Sequence, residues 1–297
     1  MTAVSESSVR RHRWWVPLLF IGPVLLVQLA FLFTPLLNTF VLAFTDASTI
    51  GGGTFTGLAN FEEMFSSASF WEAVGHTGLY VLLATPFIVG ISIGLAILIN
   101  TRMRGAGIVR PILFSPLVLP MAVVALMFQY VLASDGLANQ LLQGLHLVAA
   151  PVPFLTNTHL ALISCVIVTI WKGCGLYTMI LLAALQNVSR ELNEAAELDG
   201  ASWLRRTFSV TIPQISGTIS LVTVLTAISA LRAFTEPYVL TAGGPGTSST
   251  TIVVHLFSKG IAPGTEAGYA SAISLVLFVF VLAVSSASWL LTRKGRA

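Results

Sequence analysis

The chain has 297 residues, of which 55% are hydrophobic and only 9% are charged, and its formal net charge at pH 7 is +3. Soluble globular domains carry about 25% charged residues, so this composition indicates an integral membrane protein. The small positive excess is spread along the chain rather than gathered in a patch, which argues against nucleic acid as a partner.

Six stretches are apolar enough and long enough to cross a bilayer as helices, which takes about 20 residues each. The first follows a short basic segment but is too long for the apolar core of a signal peptide, so we expect it to stay as an anchor. The sequence predicts an all-α integral membrane domain of six transmembrane helices over residues 14–291, between tails at 1–13 and 292–297. The predicted spans are Trp14–Leu36, Val74–Ile99, Arg110–Leu132, His159–Leu185, Gly217–Leu240 and Gly268–Leu291.

Basic residues mark one side of this domain. Cytoplasmic loops of membrane proteins are enriched in lysine and arginine, and here 12 of the 15 such residues flank the same ends of the spans. The opposite loops are acidic and carry a single lysine, Lys259. Both termini and the loop 189–213 are therefore predicted to be cytoplasmic. The 12 basic residues are Arg10, Arg11, Arg13, Arg102, Arg104, Arg110, Arg190, Arg205, Arg206, Arg293, Lys294 and Arg296.

The predicted cytoplasmic loop between spans four and five has the pattern of a helix, a turn and a second helix. Ser189 is suited to begin the first helix, because its hydroxyl can accept a hydrogen bond from the first turn. Glu191, Glu194 and Glu197 follow at intervals of three and place acidic groups along one ridge. Gly200 permits a chain reversal. An ordinary solvated loop helix and a docking surface explain this composition equally well.

The spacing within the loop favours the docking surface. Glu194-Ala195-Ala196 is followed after three residues by Gly200, and after nine more by Val210-Thr211-Ile212-Pro213. This segment resembles the EAA loop of membrane permease subunits of binding-protein-dependent ABC importers. A further likeness, to the maltose-type and glycerol-phosphate-type sugar permeases, extends from Arg10 to the C-terminus. It is carried by Ile170-Trp171-Lys172, Leu181-Leu182-Ala183-Ala184-Leu185-Gln186, Asp199-Gly200-Ala201 and Phe234-Thr235-Glu236-Pro237-Tyr238-Val239-Leu240-Thr241-Ala242-Gly243-Gly244-Pro245.

The resemblance implies a type I ABC importer permease in the bacterial inner membrane, in contact with lipid and with both termini cytoplasmic. It implies as partners a second permease subunit, usually a different one, a pair of ATPase subunits that bind ATP and Mg²⁺, an extracytoplasmic binding protein and a sugar-like solute. The loop would dock into a groove of the ATPase, with Glu194 paired to a basic residue there. The coupling residues so implied are Glu194, Ala195, Ala196, Asp199, Gly200 and Pro213.

The chain carries no motif for ATP hydrolysis of its own. Lys172, Lys259 and Lys294 are each followed by glycine, so none completes a P-loop. Cys165 and Cys174 lie nine residues apart in one apolar run, and no His-x-x-x-His pair occurs, so no metal site is indicated. We therefore expect a transport subunit rather than an enzyme, without catalytic residues, metal or cofactor, and with hydrolysis on a partner subunit.

Three ionisable residues are predicted inside the membrane, where each costs about 2.5–3.5 kcal/mol at the bilayer centre. Lys172 lies in span four, whereas Arg232 and Glu236 lie four apart in span five and are expected to share a helical face. Either Arg232 pairs with Glu236 and Lys172 bonds to backbone carbonyls, or all three line a polar translocation pathway. In the second case the pathway residues are Trp171, Lys172, Tyr177, Arg232, Glu236 and Tyr238, whose rings and polar groups suit a sugar.

Two other classes of transport stay open from the residues. Two cations near the pathway also suit a glycerol phosphate or a related phosphorylated polyol. An ion-coupled secondary transporter would show inverted repeats or broken helices, and neither is clear here. Pro86, Pro116 and Pro120 are positions where spans two and three can bend, either for gating or as the local bends common in membrane helices. The residues favour half of the translocation pathway of an ABC importer for a sugar or sugar-like solute, coupled to a separate ATPase.

Overall fold

The computed structural model describes residues 15–100, 106–261 and 266–294, and the predicted tail 1–13 and Arg102, Arg104 and Arg296 lie outside them. Throughout the described residues the protein is helical and forms no β-strand, in agreement with the predicted all-α class. The helices are α1 (Trp15–Gln28), α2 (Thr34–Leu42), α3 (Ala59–Ser66), α4 (Ala68–Asn100), α5 (Ala106–Val118), α6 (Met121–Val131), α7 (Leu137–Gly144), α8 (Leu160–Gln186), α9 (Arg190–Leu198), α10 (Trp203–Arg206), α11 (Ile212–Gln214), α12 (Ser216–Leu231), α13 (Thr235–Thr241), α14 (Ile252–Gly260) and α15 (Ala267–Lys294).

Some of these helices cross a membrane only as bent pairs. In the described part of the chain, four helical segments are long and apolar enough to span by themselves, and the count is six, the predicted number, if each bent pair is one span. The straight segments are Leu19–Leu42, Ala68–Asn100, Leu160–Gln186 and Ala267–Ser286, and the bent pairs are Arg110–Val118 with Met121–Val131 and Trp203–Gln214 with Ser216–Leu231.

Two π-helical turns each end two residues before a proline. Leu29–Phe33 joins α1 to α2 ahead of Pro35, and Thr207–Thr211 joins α10 to α11 ahead of Pro213. Proline lacks an N–H and its ring clashes with the carbonyl four residues earlier, so a wider turn keeps the chain helical. The first span consequently continues through α2, beyond its predicted end at Leu36.

Helices α4 and α8 form the centre of the fold and run parallel to each other. The Tyr80 hydroxyl and the Cys165 carbonyl are 3.3 Å apart near one end, and Ser92 and the Cys174 carbonyl are 3.3 Å apart further along. Helix α5 approaches α8 so closely that a Cβ at Gly175 would lie 2.2 Å from a backbone oxygen of α5. Small residues at such contacts let membrane helices pack backbone to backbone.

Predicted span three is broken near its middle. Helix α6 leaves the end of α5 at an angle of 103°. Pro120 lies in the break, where its missing N–H interrupts the helical hydrogen-bond ladder. The bend that the sequence allowed at Pro120 is thus confirmed, whereas α4 runs through Pro86 as one helix.

Predicted span five, Gly217–Leu240, is broken as well, and this corrects one expectation. Helix α12 ends at Leu231 and α13 begins only at Thr235, so Arg232 and Glu236 do not share a helical face. No ion pair joins these two side chains within the described ranges. The interpretation in which Arg232 neutralises Glu236 is therefore wrong.

The cause of this second break is a proline three residues into α13. Pro237 has no N–H to donate to the carbonyl of Ala233, four residues earlier, so a continuous helix would leave that oxygen without a partner. The hydroxyl of Thr251 donates to the Ala233 carbonyl instead, at 2.7 Å. A side chain from a distant loop thus takes the place of the missing helical hydrogen bond.

The loop between α13 and α14 fastens α13 to the rest of the fold. The hydroxyls of Thr241 and Ser249 are 2.6 Å apart, which closes the loop on the end of α13. Thr247 donates to the carboxylate of Glu72 on α4 at 3.0 Å. These contacts fix the position of α13, which carries a residue of the candidate site.

Candidate functional site

A cavity of about 250 Å³ lies between the broken ends of spans three and five and the middle of α8. It brings together three of the six predicted pathway residues, of which α8 carries two and α13 carries one. Three hydroxyl side chains contribute to the wall between them. The polar residues that line the cavity are Thr169, Lys172, Tyr177, Thr226, Ser229 and Glu236.

The ammonium group of Lys172 is anchored to the backbone of the first break. Its Nζ donates to the carbonyl of Leu119 at 2.8 Å. That carbonyl lies between α5 and α6, where the helical ladder no longer supplies a donor. The positive charge also lies just beyond the C-terminus of α5, the end at which a helix dipole favours a cation. The expectation that Lys172 bonds to a backbone carbonyl is confirmed.

The carboxylate of Glu236 is held by a hydroxyl rather than by a cation. Thr169 Oγ1 donates to Glu236 Oε1 at 2.7 Å, and the Tyr80 hydroxyl lies 2.5 Å from the same Thr169 oxygen. Glu236 is in the first turn of α13, where the helix dipole favours a negative charge. The cavity therefore holds one cation and one anion. Each has its own neighbour, and no ion pair between Lys172 and Glu236 is found in the described part of the chain.

Trp171, Arg232 and Tyr238 do not line this cavity. Trp171 is 43% exposed and packs edge-on against Phe128, with 5.1 Å between ring centroids. Tyr238 is 43% exposed and stacks on Phe234, with 5.0 Å between centroids. Arg232 is exposed where α12 ends. The place of these three side chains in a pathway stays a prediction.

Thr169 and Tyr80 belong to the site although the sequence pattern did not indicate them. Thr169 precedes Lys172 by three residues and lies on the same face of α8, and this spacing is the one signal that could have identified it. Tyr80 lies in a long apolar run of α4 and is fully buried. Only its contact with another helix reveals its part in the site.

The loop 189–213 has the predicted helix–turn–helix form. The Ser189 hydroxyl accepts from the N–H of Glu191 at 3.2 Å and begins α9. Gly200 follows α9 with a φ of +76°, a left-handed conformation that glycine adopts without strain. The predicted roles of Ser189 as a cap and of Gly200 as the turn are both confirmed.

On the acidic ridge of this loop, Glu194 is exposed to solvent, whereas Glu197 forms an ion pair within the chain. Glu194 makes no ion pair or hydrogen bond with the side chains that the structure describes. Glu197 forms an ion pair with Arg206 of α10, which links the two helices across the turn. Trp203 and Arg206 also line a cavity of about 230 Å³ against the ends of α4 and α8. Of the other predicted coupling residues, Ala195, Asp199 and Pro213 are exposed and Ala196 is half-buried.

Known proteins are similar in sequence to this chain over most of its length. Residues 87–294 match the family described as binding-protein-dependent transport system inner membrane component. The chain belongs to this family. The permease is 33% identical over 274 residues to the probable ABC transporter permease protein YurN of Bacillus subtilis (strain 168), across 91% of this chain and 93% of the relative. It is 34% identical over 269 residues to the trehalose/maltose transport system permease protein MalF of Thermococcus litoralis, across 89% of each.

Solved structures share the fold of this permease. It matches a chain in the crystal structure of a bacterial alginate ABC transporter in complex with an alginate pentasaccharide-bound periplasmic protein. The TM-score is 0.83, the match covers 94% of each chain, and the identity is 23%. The chain is therefore a multi-pass membrane permease of the ABC importer type, a transport component rather than an enzyme. An ion-coupled secondary transporter is not favoured.

Proposed function

We propose that this permease forms half of the translocation pathway of an ABC importer for a neutral sugar or oligosaccharide. The observation that carries the proposal is the cavity in which Lys172 and Glu236 are anchored separately. A sugar hydroxyl both donates and accepts hydrogen bonds, so it can bridge an ammonium donor and a carboxylate acceptor. Tyr177 adds an aromatic ring to the same cavity, on which the C–H face of a sugar can pack.

The charges of the cavity favour this solute class over a phosphorylated polyol. Lys172 and Glu236 carry opposite formal charges, and Arg232 does not line the cavity. A phosphate would gain one cation but would also approach the Glu236 carboxylate, where like charges repel. The relative named for trehalose and maltose transport agrees with the neutral class, whereas the structural neighbour is an alginate transporter, so the proposal depends on the charges of the cavity.

The proposed topology has six spans, with both termini and the loop 189–213 in the cytoplasm. Because α4 and α8 run parallel, the chain between them has to return across the layer once, and the bent pair of α5 and α6 is the segment that can do so. The basic residues Arg205 and Arg206 then lie on the cytoplasmic side, as the distribution of positive charge favours.

The loop 189–213 is the proposed contact with a separate pair of ATPase subunits, which bind ATP and Mg²⁺. Glu194 is exposed and available to a basic residue of a partner groove. Close charge pairs across protein interfaces couple by roughly 1.5–7 kcal/mol, which is enough to transmit the closure of the ATPases. Ala195 and Ala196 keep the surface low, so that the backbone of a partner can approach.

A second permease subunit and an extracytoplasmic binding protein complete the proposed importer. The first span leaves a surface for the second subunit, because none of its most apolar 18-residue window is buried within this chain. Lipid or another subunit must cover that surface. The family description, binding-protein-dependent transport, supports delivery of the solute by a binding protein.

The test is ATP hydrolysis by the reconstituted complex, with and without binding protein and a panel of neutral sugars and glycerol phosphate. We expect one neutral sugar with binding protein to stimulate hydrolysis, and Glu194→Lys to lower that stimulation at least about tenfold while the complex still assembles. Glu62→Lys, an exposed acidic residue of α3, is the matched control and should leave stimulation unchanged. Full stimulation in Glu194→Lys would reject the coupling role, and stimulation by glycerol phosphate alone would reject the solute class.

A further inference from the structure

Three side chains from three helices form a hydrogen-bonded series that ends in the cavity. Tyr80 of α4 is fully buried, Thr169 of α8 lies between the other two, and Glu236 of α13 reaches the cavity. The oxygen-to-oxygen distances are 2.5 Å for the first link and 2.7 Å for the second. This hydrogen-bonded series therefore joins the core of the fold to the carboxylate of Glu236.

The direction of the hydrogen bonds in this series follows from chemistry. A carboxylate only accepts, so the single hydroxyl hydrogen of Thr169 points to Glu236. Thr169 must then accept from Tyr80, because it has no second hydrogen to give, so the Tyr80 hydrogen goes to Thr169 at 2.5 Å rather than to the Cys165 carbonyl at 3.3 Å. Hydrogen bonds aligned in this way polarise and strengthen one another. One oxygen of Glu236 is thereby held, while Oε2 has no hydrogen-bond partner among the described residues.

The alternative partner for Glu236 lies in the same cavity. Lys172 lines that cavity from α8 and is held by the Leu119 carbonyl at 2.8 Å, not by Glu236. Both side chains are long, and opposite charges in a medium of low polarity attract strongly. Each charge has its own neutral anchor instead, and no ion pair joins the two among the described residues.

We propose that Tyr80 and Thr169 are positioning residues that hold Glu236 out of an ion pair with Lys172, so that a hydroxyl of the solute occupies the gap. The proposal rests on the proposed function, in which this cavity lies on the translocation pathway. Without the Thr169 hydroxyl, Glu236 turns to Lys172, and the solute has to break that pair before it can bind. Thr169 lines the cavity and Tyr80 is buried behind it, and both act on transport by holding Glu236.

The experiment is solute uptake by proteoliposomes at saturating binding protein, with Thr169→Val and Thr169→Ser as a matched pair. Valine keeps the shape of threonine without its hydroxyl, whereas serine keeps the hydroxyl. We expect Thr169→Val to lower uptake about tenfold, as the loss of a hydrogen bond to a charged group predicts, and Thr169→Ser to stay within about twofold of wild type. Tyr80→Phe leaves the Thr169 bond in place and should lower uptake by about threefold.

A double-mutant cycle with Glu236→Gln separates positioning from a general effect on folding. If Thr169 acts through Glu236, Thr169→Val adds no further loss of uptake in the Glu236→Gln background. Losses that multiply in the double variant, or wild-type uptake by Thr169→Val, would overturn the proposal. Wild-type uptake by Glu236→Gln itself would instead remove the cavity from the pathway, so that the failure of the proposed function is recognised separately.

Discussion

The loop 189–213 and the membrane cavity hold their charges in opposite ways. Glu194 of the loop is exposed and needs no partner within the chain, because water solvates it. Lys172 and Glu236 of the cavity are each bonded to a fixed neutral group, since an unsatisfied charge inside a membrane is costly. If the proposed roles hold, a charge that binds a protein partner in water can stay free, whereas a charge that binds a solute within a membrane must first be anchored.

The largest effect expected from this contrast is at Lys172. Lys172→Met removes the cation and leaves the Leu119 carbonyl without its donor, and an unsatisfied buried polar group costs about 1–3 kcal/mol. We expect uptake to fall at least about thirtyfold, because solute contact and the geometry of the break are lost together. The thermal unfolding temperature of the purified complex should fall as well.

Lys172→Arg is the control for that experiment. A guanidinium group can also donate to the Leu119 carbonyl, so this variant should recover the unfolding temperature and part of the uptake. If Lys172→Met keeps more than half of wild-type uptake, the anchored cation of the cavity is not required for transport, and the contrast between the loop and the cavity is wrong.

An intermediate effect is expected at the ion pair between Glu197 and Arg206. Reversal of one charge, by Glu197→Arg or Arg206→Glu, should lower the number of solute molecules moved per ATP by about threefold, in keeping with the modest strength of exposed pairs. The exchange of both charges should restore the ratio, because the link across the turn returns with opposite polarity. Failure of the exchange to restore it would show that the pair does not stiffen the loop.

The smallest effect is expected at Gly200. Its φ is +76° and nothing lies within 4 Å of the Cβ position, so Gly200→Ala meets backbone strain but no steric clash. The strain is of the order of 1 kcal/mol, and the transport-to-hydrolysis ratio should fall by less than about twofold. Asparagine tolerates this conformation better than alanine does, so Gly200→Asn should lower the transport-to-hydrolysis ratio less than Gly200→Ala. A tenfold or larger fall of this ratio in Gly200→Ala would mean that the turn itself is a contact surface.

Much of the fold could be predicted because local chemistry determines it. Spans two, four and six are long apolar runs. Their observed helices, α4, α8 and α15, contain nearly all of the predicted stretches, and the largest difference is at α4, which begins at Ala68 rather than Val74. The cap at Ser189 and the turn at Gly200 were predictable as well, since both depend on residues next to them in the chain.

The two broken spans depend on residues far away in the sequence. Pro120 and Pro237 weaken their helices, but each break leaves a carbonyl that needs a new donor. Those donors are Lys172 and Thr251, from other helices and loops. For the same reason Thr169 was missed, because its role exists only where α8 meets α13.

The bond from Lys172 to the Leu119 carbonyl has a consequence for biogenesis. A lysine at mid-helix and an open carbonyl at a break are each unfavourable to release into lipid. Each relieves the other only when the bent helices α5 and α6 lie beside α8. If synthesis stopped after α6 and before α8, the Leu119 carbonyl would have no donor, because Lys172 would not yet be present. The segments α5, α6 and α8 should therefore leave the translocon together, as one unit.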